Sequence, residues 1–221
     1  MSVCYEPAAY ITAMITSAFH LPLACHLPDG TVVVPAVRPV AVLPGSFNPL
    51  HVGHRTLANT VAKRVGGPVH YEISTANVDK PDLPADEVAR RLSQFAGLAA
   101  VWVTRAATFV EKAELFAETA FVVGFDTAIR LIDPKYYGGD AGRDAALARI
   151  AEFGCRVIVG GRVDAGGAFR VWGENRGRLP GRFDILFEVI AADEFRVDVS
   201  STELRLTSCP SAASPSTRRS S

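Results

Sequence analysis

Short apolar runs and helical stretches alternate along most of this chain. Val40 to Leu43, Val69 to Ser74, Ala100 to Val103, Phe121 to Gly124 and Cys155 to Gly160 crowd apolar residues between turn formers, the pattern of strands buried on both faces. Between them, Gly53 to Arg64, Ala85 to Leu98, Phe109 to Phe116, the stretch after Asp126 and Arg143 to Phe153 return apolar residues at helical spacing, which predicts amphipathic helices. Repeated βα units imply an α/β domain, a parallel sheet with helices on both faces, and such sheets bind ligands beyond the carboxyl ends of their strands. The domain is expected over residues 38–207. Residues 1–37 read as an extension: a short helix, a turn at Pro28-Asp29-Gly30 and a β-branched run, Thr31 to Val34, that can pair at a sheet edge. Residues 208–221 have almost no apolar content and are expected to be disordered.

One junction in this pattern carries chemistry. The run from Val42 breaks at Pro44-Gly45-Ser46-Phe47-Asn48-Pro49 and opens a helix through His51, Gly53 and His54. Gly45 permits close backbone approach, Ser46 and Phe47 can offer main-chain N–H groups, and Asn48-Pro49 forces a turn. On the first turn of a helix His51 and His54 lie on one face, beside orphan N–H groups and about half a positive charge, a site suited to a polyanion. Gly53 brings no Cβ to block it. Two competing accounts are histidines that are merely solvated and a zinc site, but zinc needs a third ligand and His20, His26 and His70 have no motif context.

Three further stretches stand out. Ser74 to Pro81 is a polar loop after a strand, which by itself reads as an ordinary βα connection. Phe121 to Thr127 ends a strand on Gly124 and places Asp126 to cap the next helix. Ser200 and Glu203 have capping-box spacing, so a helix is expected there, with Ser200, Ser201 and Thr202 exposing hydroxyls and N–H groups and Arg205 one turn in. The Gly- and Arg-rich stretch over 161–182 reads as a loop over the site or, for most of its arginines, a solvated excursion.

Gly45 to His54 resembles the G-x-F-(D/N)-P-x-H-x-G-H signature of the nucleotidyltransferase superfamily, and Asp198 to Arg205 resembles its I-S-S-T-x-(I/L)-R motif. Class I aminoacyl-tRNA synthetases share the short H-x-G-H element, but this chain has no K-M-S-K-S-like segment and no room for anticodon-binding parts. Asn77 to Lys80 is similar to a degenerate P-x-H-K loop of the nicotinamide or nicotinate mononucleotide adenylyltransferases. Gly124-Phe125-Asp126 resembles their G-(A/F)-D element, followed by Pro134-Lys135-Tyr136-Tyr137 where many relatives end on Trp. Gly124 to Tyr137 and Gly160 to Arg162 also look like cytidylyltransferase-like proteins, some with an upstream amidase-like domain for which 37 residues are too few.

The resemblance implies a Rossmann-like fold and transfer of a nucleoside monophosphate unit from ATP to a phosphorylated acceptor, a pyridine mononucleotide first, with release of pyrophosphate. It assigns His51, His54 and Arg205 to catalysis. Gly45, Ser46, Phe47, Asn48, Gly53, Ser200, Ser201 and Thr202 would bind the nucleotide with Mg2+, and Lys80, Gly124, Asp126 and Tyr137 the acceptor. Alternatives are a CTP-using or phosphopantetheine-type transferase and, in another class, a nucleotide-binding regulator without turnover.

Composition narrows the setting. At 221 residues and 48% hydrophobic the chain has enough for one core. Lys+Arg and Asp+Glu number 23 each, so the global basic field of a dedicated nucleic-acid binder is missing, while a small anionic ligand needs only a local site. Cys4, Cys25, Cys155 and Cys209 lack C-x-x-C spacing and fit reduced thiols, with Cys155 in the core. The apolar stretch Ala8 to Ala24 is broken by polar residues and has no basic start, so neither a secretory signal nor a membrane span is expected. The expected location is the cytoplasm, with small-molecule partners and homo-oligomerisation left open.

Overall fold

The computed structural model describes residues 24–33, 38–78, 81–164 and 166–196. Lys80, Ser200, Ser201, Thr202, Arg205 and the 208–221 tail lie outside them. In chain order the elements are β1 (Ala24–His26), β2 (Val32–Val33), β3 (Ala41–Pro44), α1 (Val52–Val65), β4 (Val69–Ser74), α2 (Ala85–Leu92), β5 (Val101–Thr104) and α3 (Phe109–Leu115). They continue with β6 (Ala120–Gly124), α4 (Phe125–Leu131), α5 (Asp140–Glu152), β7 (Arg156–Gly160), β8 (Arg162–Val163), β9 (Phe169–Arg170) and β10 (Phe187–Val189). No described helix is long and apolar enough to cross a membrane.

The main sheet runs β10-β7-β6-β3-β4-β5-β1-β2. From β10 to β5 every neighbouring pair is parallel, which makes this the expected Rossmann-like α/β fold. Its central strands are mostly apolar because both faces are covered, with Glu72 in β4 a buried exception. Ala41 and Leu43 of β3 face the same side as Ala120 and Val122 of β6, and there meet Leu57, Ala58 and Val61 of α1. Val42, Phe121 and Val123 face the other side, against Ala113 and Leu115 of α3 and Leu147 and Ile150 of α5. Pairing one residue out of register would swap the two sets, so the period-two pattern holds the register. Since β3 pairs with β4 on one side and β6 on the other, the chain reverses direction across the sheet at β3. That reversal opens a crevice at the carboxyl end of β3, where the Pro44 to His54 junction sits.

Thr31 to Val34 was expected at an edge, and β2 is the edge strand, joined through β1, which pairs antiparallel with β5. Residues 24–33 are therefore continuous with the main sheet. Two elements differ from the sequence pattern. The helix predicted to run to Leu98 ends at Leu92, followed by a single 3-10 turn, Ser93–Phe95. The Ser93 hydroxyl donates back to the Arg90 carbonyl at 2.9 Å, and Gly97 turns the chain with φ +67, so Phe95 swings onto Tyr71 and Phe47 in the core. The Gly- and Arg-rich stretch is a packed segment, not a free loop. Its β8–β9 hairpin and 3-10 turns bury Trp172, Leu179, Phe183 and Leu186 and lead into β10, with Trp172 stacked on Phe187 at 4.6 Å. Arg170, Arg178 and Arg182 are exposed, Arg182 being 65% exposed beside Asp144.

Candidate functional site

The turn after β3 is held by α2 and the 3-10 turn that follows it. Arg91 donates to the Ser46 carbonyl at 3.0 Å, Gln94 donates to the Phe47 carbonyl at 2.9 Å, and the Gln94 amide oxygen accepts the Leu50 N–H at 2.8 Å. Arg90 donates to the Asn48 side-chain oxygen at 2.8 Å. In a trans peptide the N–H points opposite to the C=O. Fixing the Ser46 and Phe47 carbonyls toward α2 therefore directs the Phe47 and Asn48 N–H groups to the other side of the turn. Phe47 adopts φ +44 and is fully buried, edge-on to His54, Tyr71 and Phe95. This packing explains Gly45 first: a Cβ there would come within 2.7 Å of the Phe47 ring. The glycine expected to admit a ligand is required by the protein's own aromatic ring, and it also lines the cleft described below.

His51 is the N-cap of α1, and its Nδ1 accepts the Gly53 N–H at 3.1 Å. The Nδ1 of His54 accepts the His51 N–H at 3.3 Å. The two rings stack with centroids 3.7 Å apart. Since a backbone N–H can only donate, both Nδ1 atoms are acceptors, and a neutral imidazole then carries its proton on Nε2. Burial, then the charge of His51, lowers the His54 pKa to about 4, and burial also lowers that of His51. The pair is thus two neutral Nε2–H donors of fixed tautomer on one helix end. A nitrogen-detected NMR titration should place the His54 midpoint near 4; a midpoint at or above the ordinary 6.5 would contradict this geometry. Between those values an unfolded imidazole holds a proton that folded His54 does not. The associated stability is therefore complete above about pH 6.5 and declines as pH falls toward about 4.

Pro44, Gly45 and Ser46 form one wall of a cleft of about 340 Å³, with Glu72, Ser74, Asn77, Arg91 and Lys112 among its other walls. It continues into a hollow of about 230 Å³ lined by Thr108, Leu131, Tyr136 and Tyr137. Val78, Ala107, Phe109, Thr127 and Arg130 line both parts. Tyr137, an expected acceptor residue, thus faces the same continuous space as the turn; its hydroxyl donates to the Leu131 carbonyl at 2.9 Å. Gly124 ends β6 with open space where a Cβ would go, so internal packing does not demand a glycine there. Asp126 does not cap α4 as expected. Gly124 holds the N-cap position without a side-chain bond, and the Asp126 carboxylate instead pairs with Arg162 of β8, tying α4 to the segment after β7.

One wall of the cleft holds a charged pair that the sequence pattern did not reveal. Lys112 of α3 donates to both oxygens of Glu72 at 2.8 and 2.9 Å and to the Ala106 carbonyl at 2.7 Å. Thr104 donates to the same carboxylate at 2.5 Å. Glu72 is 1% and Lys112 5% exposed. An acidic residue inside the otherwise apolar run Val69 to Ser74 was the available signal, since a buried carboxylate needs a partner. Arg91 and Gln94 gave a weaker one, polar residues on the inner side of a helix. Among the described residues no three His, Cys, Asp or Glu residues gather in a group that could hold a metal ion. His70 accepts from the Trp102 indole at 2.9 Å, and Cys155 is core, as expected.

Comparison with known proteins adds two findings. A family model described as cytidylyltransferase-like matches residues 42–206, well over half of the 221 residues. A Schizosaccharomyces pombe protein named "Putative nicotinamide mononucleotide adenylyltransferase" is 30% identical over 137 residues, covering 55% of this chain and 52% of the relative. The chain thus spans about half the length of that curated relative.

Proposed function

This chain belongs to the cytidylyltransferase-like family of nucleotidyltransferases, and from that premise we propose that it transfers a nucleoside monophosphate unit from ATP to a pyridine mononucleotide. The observation that carries this reading is the His51–His54 pair of neutral donors at a helix start. Neither ring lines the cleft itself, but the turn that leads into them walls it through Pro44, Gly45 and Ser46, and the far part of the cleft ends in two tyrosines. An acceptor phosphate oxygen attacks the α-phosphorus, the bond to the bridging oxygen breaks, and pyrophosphate leaves with that electron pair. No enzyme-bound intermediate is needed, so catalysis rests on positioning and on donors aimed where negative charge grows. His51 Nε2, His54 Nε2 and the N–H groups of the clamped turn are such donors. Ser200, Ser201, Thr202 and Arg205 are proposed, from their motif, to grip the phosphates, and Lys80 to approach them. Mg2+ fits as an ion carried by the triphosphate, because it keeps several waters and takes phosphate oxygens in place of a protein cage.

The pyridine acceptor is favoured by the name of the fungal relative and by Tyr136 and Tyr137, whose faces can stack on a flat ring. Incubating the protein with ATP or CTP against nicotinamide mononucleotide, nicotinate mononucleotide and phosphopantetheine, and following pyrophosphate, tests the proposal. Turnover with ATP and either pyridine nucleotide supports it. CTP or phosphopantetheine preference would change the substrate and keep the chemistry, and no turnover in any pairing would reject it. Tyr137→Ala should raise the acceptor KM several-fold more than the ATP KM, whereas Tyr137→Phe, which keeps the ring, should cost only the ~0.5–1.5 kcal/mol of its hydrogen bond in stability. Equal changes in both KM values for Tyr137→Ala would remove this residue from the acceptor site.

A further inference from the structure

A second hollow lies apart from the cleft and shares no lining residue with it. It holds about 380 Å³ between α1 and the starts of β4 and β5. Its wall on α1 is made by Arg55, Ala58, Asn59 and Ala62, whose spacings of three and four put them on one face of the helix. The two alanines leave room there. Tyr71 of β4 and the segment Leu98 to Ala100 supply further walls.

Tyr71 is 3% exposed, its ring edge-on to Phe47 and tilted against Phe95, yet its hydroxyl has no hydrogen-bond partner among the described residues. A buried phenol normally finds one, as Tyr137 does at the Leu131 carbonyl. Arg55 is the one lysine or arginine in the lining, which contains no aspartate or glutamate. It is exposed and makes no hydrogen bond or ion pair among the described residues; the charge it feels is that of the Tyr71 phenol. Burial pushes the Tyr71 pKa up to about 12, so near neutral pH the hydroxyl keeps its proton and donates. Two donors, one of them charged, therefore share a hollow whose lining offers no carboxylate.

We propose that this hollow is a second binding site, for a small organic anion, and that its occupancy is felt at His54. Phosphate or carboxylate oxygens would meet Arg55 and Tyr71, the stronger, charge-assisted class of hydrogen bond being the one to Arg55. A bare inorganic ion would leave most of the space unfilled, so the ligand has an apolar or ring portion lying on Ala58, Ala62 and Leu98. The route to His54 is a run of packed rings: Tyr71 meets Phe47 at 5.3 Å and Phe47 meets His54 at 5.0 Å. Interiors packed at this density pass on small displacements, and an occupant that draws the phenol toward Arg55 bears on the ring against which His54 rests. The site is independent of the transferase reading, since binding there needs no turnover.

The test titrates phenyl phosphate, benzoate and uncharged benzyl alcohol into the full chain and into Arg55→Gln and Tyr71→Phe, followed by amide and imidazole NMR signals. In wild type both anions should move the Asn59 and Leu98 to Ala100 amides saturably, with the His54 imidazole moving at the same midpoint. Benzyl alcohol should bind at least about tenfold more weakly. Arg55→Gln should weaken both anions by about tenfold or more, and Tyr71→Phe by about two- to tenfold. Because its hydroxyl has no internal partner, Tyr71→Phe should unfold in urea at the same midpoint as its parent. Shifts confined to Gly45 and Ser46 would place the anions in the substrate cleft and overturn the second site. Undiminished affinity in Arg55→Gln, or a clear loss of stability in Tyr71→Phe, would overturn it as well. A His54 signal that stays still while the Leu98 to Ala100 amides saturate would overturn the coupling.

Discussion

His54→Ala is expected to lower turnover by about 100- to 1000-fold while ATP binding weakens far less. The reason lies in when the interaction strengthens. Burial holds His54 neutral, its Nδ1 is engaged by the His51 N–H, and its Nε2–H remains as a donor. A neutral donor gains most as the bridging and non-bridging oxygens acquire charge, so its energy is realised in the transition state more than in the bound substrate. The substitution also removes the ring stacked on His51 at 3.7 Å and the edge that Phe47 meets at 5.0 Å. Some rise in the ATP KM is therefore expected, and the kcat effect should exceed it. An unchanged kcat would take His54 out of catalysis. If wild type also turns over no acceptor while His54→Ala binds ATP as its parent does, the nucleotide-binding regulator becomes the better account.

Lys112→Ala should destabilise the fold by about 3–5 kcal/mol, the usual cost of leaving one member of a buried ion pair alone. Glu72 is 1% exposed. Without the ammonium its carboxylate would keep only the Thr104 hydroxyl among its described side-chain partners. Burial decides the magnitude: the pair Arg149–Glu152, with side chains 54% and 62% exposed, should give less than about 1 kcal/mol when broken. Replacing both members, as Lys112→Met with Glu72→Gln, should recover most of the loss, because the pair's net contribution is small once its desolvation is counted. Urea unfolding of the four proteins gives these values directly. A loss below about 1 kcal/mol for Lys112→Ala would show that water or another group replaces the ammonium. Activity should fall in the single variant too, since the Glu72 carbonyl accepts the Gly45 N–H at 3.0 Å and so anchors the start of the turn.

What the sequence determined by itself is local. Apolar runs of period two, helical recurrences, the break at Pro44-Gly45 and the spacing of His51 and His54 depend on residues a few positions apart, so sterics and turn chemistry specify them before any packing occurs. The strands β3, β4, β5, β6 and β7 and the stacked histidines were legible for that reason. So was the edge pairing of β2, from a β-branched run beyond a turn. The strand β10 was not: with three residues, Phe187–Val189, it has too short a pattern and gains its identity only by pairing with β7. The helix expected through Leu98 was misjudged because Phe95 is drawn into a core made by Phe47 and Tyr71. Asp126 looked like a cap because only its neighbours were visible, whereas its partner Arg162 lies 36 positions on. The clamp on the turn spans 45 positions from Ser46 to Arg91 and 47 from Phe47 to Gln94, and the pair in the cleft wall spans 40 from Glu72 to Lys112. Such partners are chosen by strand order and crossover packing, which local propensity does not encode; only the closed sheet brings these charges and carbonyls within hydrogen-bonding distance, where leaving any one of them buried and unmatched would cost more than the contact gains.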